Sequence, residues 1–416
     1  MRGAAGGANL LALRSHNTAL VLDLLRTAGG AGISRLELAE RTGLTPQAVS
    51  KITARLRGEG LAAEAGRRAS TGGKPRTVLR LVPGAGHSLG VHLDRDELRA
   101  VLVDLDGTVV AERRAPLDLG AGAETVLEMV ARAAEELAAE GLGHLVAEGA
   151  RVPGAALAAA PTLLGLGVAL PGPLDHVRGV LHRITGFPGW DGYPLREALE
   201  RRLGVPVVVD KDTNAAALGL AVGSAGGERG SGAGGQRGSG AGAEWGSGAG
   251  AEAARAGARG GSFAYLHLGT GLGAGLVFGG GVHRGARTGA GEFGHQVVQL
   301  DGPPCTCGAR GCIEALCLAA VARGDLAEAA RVLGTGAANL AGLLDIDLVL
   351  LGGRTVAAAP EAFVQGVGAV LDARARREGG QDGPVPVRLA PAGTRGVAEG
   401  AAQLLLAPLF GRGEGG

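Results

Sequence analysis

No apolar run in this 416-residue chain reaches the length of a membrane span, which argues against a transmembrane helix. The opening stretch, MRGAAGGANLLALR, has no apolar h-region and reads as the start of a cytoplasmic protein. Cysteine is rare, with four residues, and without export there is no oxidising compartment in which to pair them. Aromatic residues make up only 2%. Net charge is also small, at +1. Glycine is abundant instead, with 79 residues. The length allows two or three domains and a large core.

The small net charge hides two unlike parts. Residues 1–80 hold 13 Lys/Arg against 5 Asp/Glu, and the remainder holds 28 against 35. A basic front on an acidic body suggests a polyanion partner for the front alone. Helical spacing of Leu13, Leu20, Val21, Leu24 and Leu25 predicts a first helix over Leu10 to Arg26. Ser34 is placed to cap a second helix, RLELAERTG, which Gly43 ends. Thr45 and Pro46 fit the N-cap and first position of a third helix.

The third helix buries Val49, Ile52 and Leu56 and presents Gln47, Ser50, Lys51 and Ala54 on its other face. Two short helices joined by a glycine turn make a helix-turn-helix. Its third helix suits the major groove of duplex DNA, with Thr45, Gln47, Ser50, Lys51 and Arg55 as candidate contacts. Two strand-like runs then flank a basic, Gly-rich tip and read as a wing. Arg67, Arg68, Lys74 and Arg76 are its candidate phosphate or minor-groove contacts. The bland alternative for this segment is a small packing or protein-binding domain. Residues 1–82 are thus expected to be a winged helix-turn-helix DNA-binding domain.

The densest chemistry lies at Gly291–Glu314, GEFGHQVVQLDGPPCTCGARGCIE. His295 precedes Cys305, Cys307 and Cys312, a Cys3His supply suited to a closed, structural Zn2+ site. Gly308 and Gly311 allow the tight turns that wrap an ion. A disulfide between Cys305 and Cys307 would be strained. Cys317 remains an alternative fourth ligand to His295.

From Pro83-Gly84 onward, strands followed by alternating strands and helices occur twice, which suggests an α/β body of two similar halves over 85–410. Gly223–Gly261 repeats GSGAG at 230, 238 and 246 and cannot build a core, so it reads as a disordered surface insertion. A milder low-complexity stretch covers Ala147–Pro161.

The GEFGH…C-x-C-G-x-x-G-C-x-E stretch resembles the signature of the ROK family, which contains sugar kinases and sugar-responsive repressors. The SRLELAERTGLTPQAVSKI and GGKPR stretches resemble the winged helix of its repressors. The resemblance implies an α/β fold in which a winged helix-turn-helix precedes a two-lobed, actin-like sugar-kinase body with its ligand between the lobes. It assigns zinc to His295, Cys305, Cys307 and Cys312. It assigns sugar contacts to Glu292, His295 and Glu314, and the position of the kinase base to Asp212, which is counted with them as a sugar-binding residue. Against the family pattern, Lys211 and Gly186 stand where sugar-holding Asn residues are expected, and Glu314 lies close to Asp325, so a helical segment looks shortened.

Kinases of this family open with a D-x-G-G-T phosphate loop, and here the matching residues are His92-Leu93-Asp94-Arg95-Asp96. Extra carboxylates repel phosphate and side chains block the backbone approach. The second Gly-rich loop, Gly269 to Gly273, does match. The expectation is therefore a non-enzyme with no catalytic residues. It is a cytoplasmic, homodimeric repressor that binds a palindromic operator and answers to a sugar or sugar phosphate. The alternative is a sugar kinase with an added DNA-binding head. Lys211 could pair with Asp212 or recruit an anionic ligand.

Overall fold

The computed structural model describes residues 16–68, 76–142, 162–184, 186–223, 261–379, 383–391 and 393–412. Lys74, the Ala147–Pro161 stretch and nearly all of the 223–261 insertion lie outside them.

Helix α1 (His16–Ala28) is followed by β1 (Ile33–Ser34), α2 (Arg35–Thr42) and α3 (Pro46–Gly58). Ser34 and Glu37 form a reciprocal capping box at the start of α2. Gly43, with φ +71°, ends that helix in the left-handed region that favours glycine. The Thr45 hydroxyl accepts from the Ala48 amide, and Pro46 opens α3. Strands β2 (Ala62–Arg68) and β3 (Arg76–Leu81) form the wing and join β1 in the order β1-β3-β2, all antiparallel. The helix-turn-helix and wing read from the sequence are both present.

The body begins with β4 (His87–Leu93), β5 (Glu97–Asp104), β6 (Val109–Pro116) and α4 (Ala123–Leu142). Strands β7 (Leu163–Leu170), β8 (Leu174–Asp175) and β9 (Val180–Leu181) precede α5 (Leu195–Leu203), β10 (Val207–Lys211) and α6 (Asp212–Val222). The first sheet runs β10-β7-β4-β5-β6, antiparallel through β4, β5 and β6 and parallel through β4, β7 and β10.

The second half repeats this plan. Strands β11 (Phe263–Leu268), β12 (Leu272–Phe278) and β13 (Gly281–Val282) make its antiparallel part. Helices α7 (Ile313–Ala322) and α8 (Leu326–Leu344), strand β14 (Leu348–Gly352), helices α9 (Arg354–Ala358) and α10 (Pro360–Glu378), and strand β15 (Val387–Leu389) follow. The sheet order is β13-β12-β11-β14-β15, with β11, β14 and β15 parallel. Helix α11 (Gly396–Leu406) and a 3-10 turn at Ala407–Phe410 close the described chain. Helix α7 was not read from the sequence. Its apolar run is all but unpatterned, so periodicity gave no helical signal there.

Helices α6 and α11 lie between the two sheets. Their contacts use glycine because backbones meet. A Cβ on Gly167 of β7 would sit 1.8 Å from the Ala401 carbonyl, and one on Gly90 of β4 2.1 Å from that of Ala398. One on Gly400 would sit 1.9 Å from the Ala215 carbonyl of α6. The core of the winged helix does not close on itself. Val21, Leu25 and Leu56 share one buried cluster with Val101 and Val103 of β5 and with Ala402, Leu406 and Phe410. Arg412 grips Asp23 of α1 at 2.8 and 3.1 Å, and the Arg26 guanidinium lies 4.4 Å from the Phe410 ring centroid.

Overpacking at such contacts costs about 1–3 kcal/mol, occasionally more. Gly167→Val should therefore lower the denaturant midpoint sharply. Gly58→Ala, where an added Cβ meets nothing within 4 Å, should leave it unchanged or slightly raised. Equal midpoints for the two variants would contradict the packing of α11 on β7.

Candidate ligand cleft and metal centre

The segment after β13 folds into a knuckle through backbone bridges, with Phe293 and Ile313 at its two ends buried in the second-half core. The Val297–Cys312 and Pro304–Arg310 bridges fold it back on itself. Gly308 and Gly311 take φ +95° and +66°, and a Cβ on Gly311 would sit 1.6 Å from the Gln299 carbonyl. His295, Cys305, Cys307 and Cys312 thereby bring one ligand atom each within 4.8 Å of one another. Cys307 and Cys312 sulfurs are 3.8 Å apart, and the Cys305 sulfur is 3.8 Å from His295 Nδ1. A tetrahedral ion with sulfur at about 2.3 Å sets thiolates about 3.8 Å apart. The group can hold a metal ion. Cys317 is not part of it, being buried in the second-half core with its sulfur 3.5 Å from the Ala329 carbonyl oxygen.

His295 links this knuckle to the cleft between the lobes, which it lines together with Lys211, Asp212, Glu292 and Glu314. Its Nδ1 faces the sulfurs, which leaves Nε2 for a ligand. All four residues assigned to sugar are thus brought together. Glu314, in the first turn of α7, is buried and accepts from the Leu272 amide at 2.8 Å. Asp212 opens α6 and accepts from the Thr213 amide at 2.6 Å. Lys211 does not pair with Asp212. Its ammonium, on a side chain 3% exposed, donates to Glu292 Oε1 at 3.0 Å and to the Ala290 carbonyl at 2.5 Å. The extended backbone at Lys211 sends its side chain across to the 290–292 segment while Asp212 turns into the helix.

The other half of the cleft is occupied by charge. Asp94 Oδ1 accepts from the Thr270 hydroxyl at 2.7 Å. Arg354, at the start of α9, donates to Asp94 Oδ2 at 2.8 Å and to Asp96 Oδ2 at 2.9 Å. Hydrogen bonding from Arg354 holds the Asp96 carboxyl below its ordinary range. Burial would lift Asp94, but the Thr270 hydroxyl, His92, the Arg95 amide and Arg354 together outweigh it and its pKa falls. His92 is buried with its Nε2 unpartnered, and burial pushes its pKa down. The loop read as unfit for phosphate is tied to the Gly-rich turn that would have faced it.

On the winged helix, Thr45, Gln47, Ser50 and Lys51 are exposed along one end of α3, and Arg76 is exposed on the wing. Thr45 is engaged as a cap. Arg55 points elsewhere as well, donating to the Thr18 hydroxyl of α1 at 2.7 Å. Arg67 and Arg68 lie on β2 at the wing tip.

A model of the ROK family matches residues 88–231 and 241–320. The chain belongs to the ROK family. It is 26% identical over 282 residues to the xylose repressor of Bacillus subtilis, covering 68% of this chain and 61% of that one. It thus spans about three fifths of that repressor's length. Among solved structures it is similar to a ROK family transcriptional regulator described as a homologue of the E. coli MLC protein. That likeness has a TM-score of 0.66 at 19% identity and covers 95% of this chain and 97% of the other. It is also similar to the ROK hexokinase of Thermus thermophilus, with a TM-score of 0.51 at 29% identity over 76% and 96% of the two chains.

Sequence reasoning on this ROK chain missed Arg354, Asp210 and Arg284. Asp210 Oδ2 accepts from Arg284 at 2.7 Å, with the two side chains 2% and 15% exposed, and Asp210 Oδ1 holds Asn214. The one available signal was Asp210 itself, an acid at the end of an apolar strand. Because Asp96 is depressed, its contribution to folding is complete above the ordinary aspartate range. It fades as pH falls through the lowered value. An NMR titration should place the Asp96 midpoint below that of unfolded aspartate, and Arg354→Gln should raise it. A midpoint indifferent to that change would show that Arg354 does not set it.

Proposed function

We propose that this ROK chain is a transcriptional regulator, a repressor of sugar uptake or catabolism genes that answers to a sugar or sugar phosphate in the cleft. The observation that carries the reading is one pairing. A winged helix with an exposed polar reading face is packed onto a kinase-like body whose first phosphate loop is closed by Asp94, Asp96 and Arg354. Likeness to a xylose repressor supports it. Gln47, Ser50 and Lys51 would read bases or phosphates in the major groove, and Arg67, Arg68, Lys74 and Arg76 would grip phosphate or the minor groove. Arg55 and Thr45 would serve mainly to hold the helices in place.

In this reading the DNA-binding domain is 1–82 and the body 85–410, with 223–261 an insertion. A homodimer would set two winged helices on a palindromic operator. The effector's hydroxyls would meet Asp212, Glu314, the free oxygen of Glu292 and His295 Nε2. Zn2+ on His295, Cys305, Cys307 and Cys312 would be a brace with no chemistry of its own, fixing the segment that carries Glu292 and Glu314. The effector acts only by favouring one lobe arrangement over another.

Duplexes selected from a random library should bind with a strongly salt-dependent affinity. Lys51→Ala should lower the slope of log K against log salt by about 1, and Gln47→Ala should relax preference at one base pair by about 1–3 kcal/mol. No binding to any duplex at low salt would refute the reading. A coupled assay over a sugar panel tests the second reading, a kinase favoured by the likeness to the hexokinase, and robust ATP-dependent turnover would establish it.

Native mass spectrometry should find one zinc per chain, lost in Cys307→Ser, with lower thermal stability and weaker effector response. A folded, stable, metal-free chain that still responds to effector would remove the brace from this account.

A further inference from the structure

The lobes are cross-tied on both rims of the cleft, and the most buried and the most exposed ion pairs among these ties lie on opposite rims. On the rim next to the metal group, Asp210 meets Arg284 with side chains 2% and 15% exposed, Lys211 meets Glu292, and His176 Nδ1 lies 2.8 Å from the Thr288 hydroxyl. On the opposite rim, Asp94 and Asp96 of the β4–β5 turn meet Thr270 and Arg354 of the second lobe. There Arg354 is 40% exposed, Asp96 59% and Asp94 15%, while Glu292 on the first rim is 42% exposed, so the contrast in burial lies between Asp210–Arg284 and Asp96–Arg354. Breaking a buried pair strands an uncompensated charge, which is costly. An exposed pair is weak and screened by salt.

We infer that the Asp94–Asp96–Arg354–Thr270 cluster is an interlobe latch at the mouth of the cleft. The Asp210–Arg284 rim is the hinge about which the lobes open. The geometry assigns the Asp94 carboxylate a bridging role: one oxygen takes the Thr270 hydroxyl and the other the Arg354 guanidinium. This protein-borne anion joins the Gly-rich turn of one lobe to the acidic turn of the other. Closure therefore needs no nucleotide, and the latch has to part before a ligand enters or leaves. Both latch turns are short and held by their own backbone bonds, Asp94 N to the Glu97 carbonyl and Gly269 N to the Gly271 carbonyl, each 2.9 Å. Loss of the latch should loosen them locally without unfolding either sheet.

Hydrogen exchange on the full metal-loaded chain, with neither sugar nor DNA, tests this. The double variant Asp94→Asn with Asp96→Asn, and separately Arg354→Gln, should speed exchange about tenfold in the 94–97 and 269–272 turns. Amides of Ala274 and Ala290, bonded to Gly291 and Arg284 carbonyls, should be unchanged. Arg354→Lys should fall between Arg354→Gln and the parent chain, because a point charge keeps the attraction but loses the fork. Raising salt from about 0.05 to 0.5 M should move the parent chain toward the variants. Unchanged exchange in both turns, or equal loosening at Ala274 and Ala290, would overturn the assignment. Since the measurement uses no ligand and no duplex, its outcome is separate from that of the regulatory reading.

Discussion

Two helices with very small side chains hold the rest of this molecule in relation. Helix α6 meets α11 through Ala215 and Gly400, and α11 meets β4 and β7 through Gly90 and Gly167. Backbones in contact leave no side chain to repack, so the layer transmits position rather than absorbing it. The same layer reaches both the cleft and the winged helix. Asp212 in the cleft opens α6, while Leu406 and Phe410 at the far end of α11 are buried with Val21 and Leu25 of α1. A rigid element touching both regions gives a physical basis for linkage between them, though linkage also needs two arrangements of comparable energy.

The cleft shows how a kinase-like site is changed by a few side chains. Glycine lets backbone approach a phosphate, and where the family's kinase pattern has glycines this chain carries Asp94 and Arg95. The added carboxylates are not left exposed to one another, since Arg354 and Thr270 take them up. Lys211 likewise occupies one oxygen of Glu292 instead of contacting Asp212. Asp94, Asp96 and Lys211 therefore each have a partner on the opposite lobe, and protein charge ties the cleft on both rims.

Much of this was legible in the chain itself. Caps at Ser34 and Thr45, the glycine stop at Gly43 and the stripe of Val49 and Leu56 are local signals, and each appears where the local rules put it. The Cys-x-Cys spacing with its glycines is equally local, and the four side chains it supplies with His295 lie together. Helix α7 escaped because its uniformly apolar run carries no period. Arg354 escaped because nothing near it in the chain marks an arginine that reaches back some 260 residues to Asp94 and Asp96.

By itself the sequence determined which residue types exist at each turn, where helices stop, and that four side chains able to hold a metal ion lie within one short segment. These follow from interactions spanning a few residues. Only the tertiary structure decided which charges meet, namely Lys211 with Glu292 rather than with its neighbour Asp212, Asp210 with Arg284, and Arg354 with the β4–β5 turn. It also decided that the winged helix shares its core with the body. Charge pairing depends on distance in space, and chain separation carries no information about that until the sheets and the helices between them are in place.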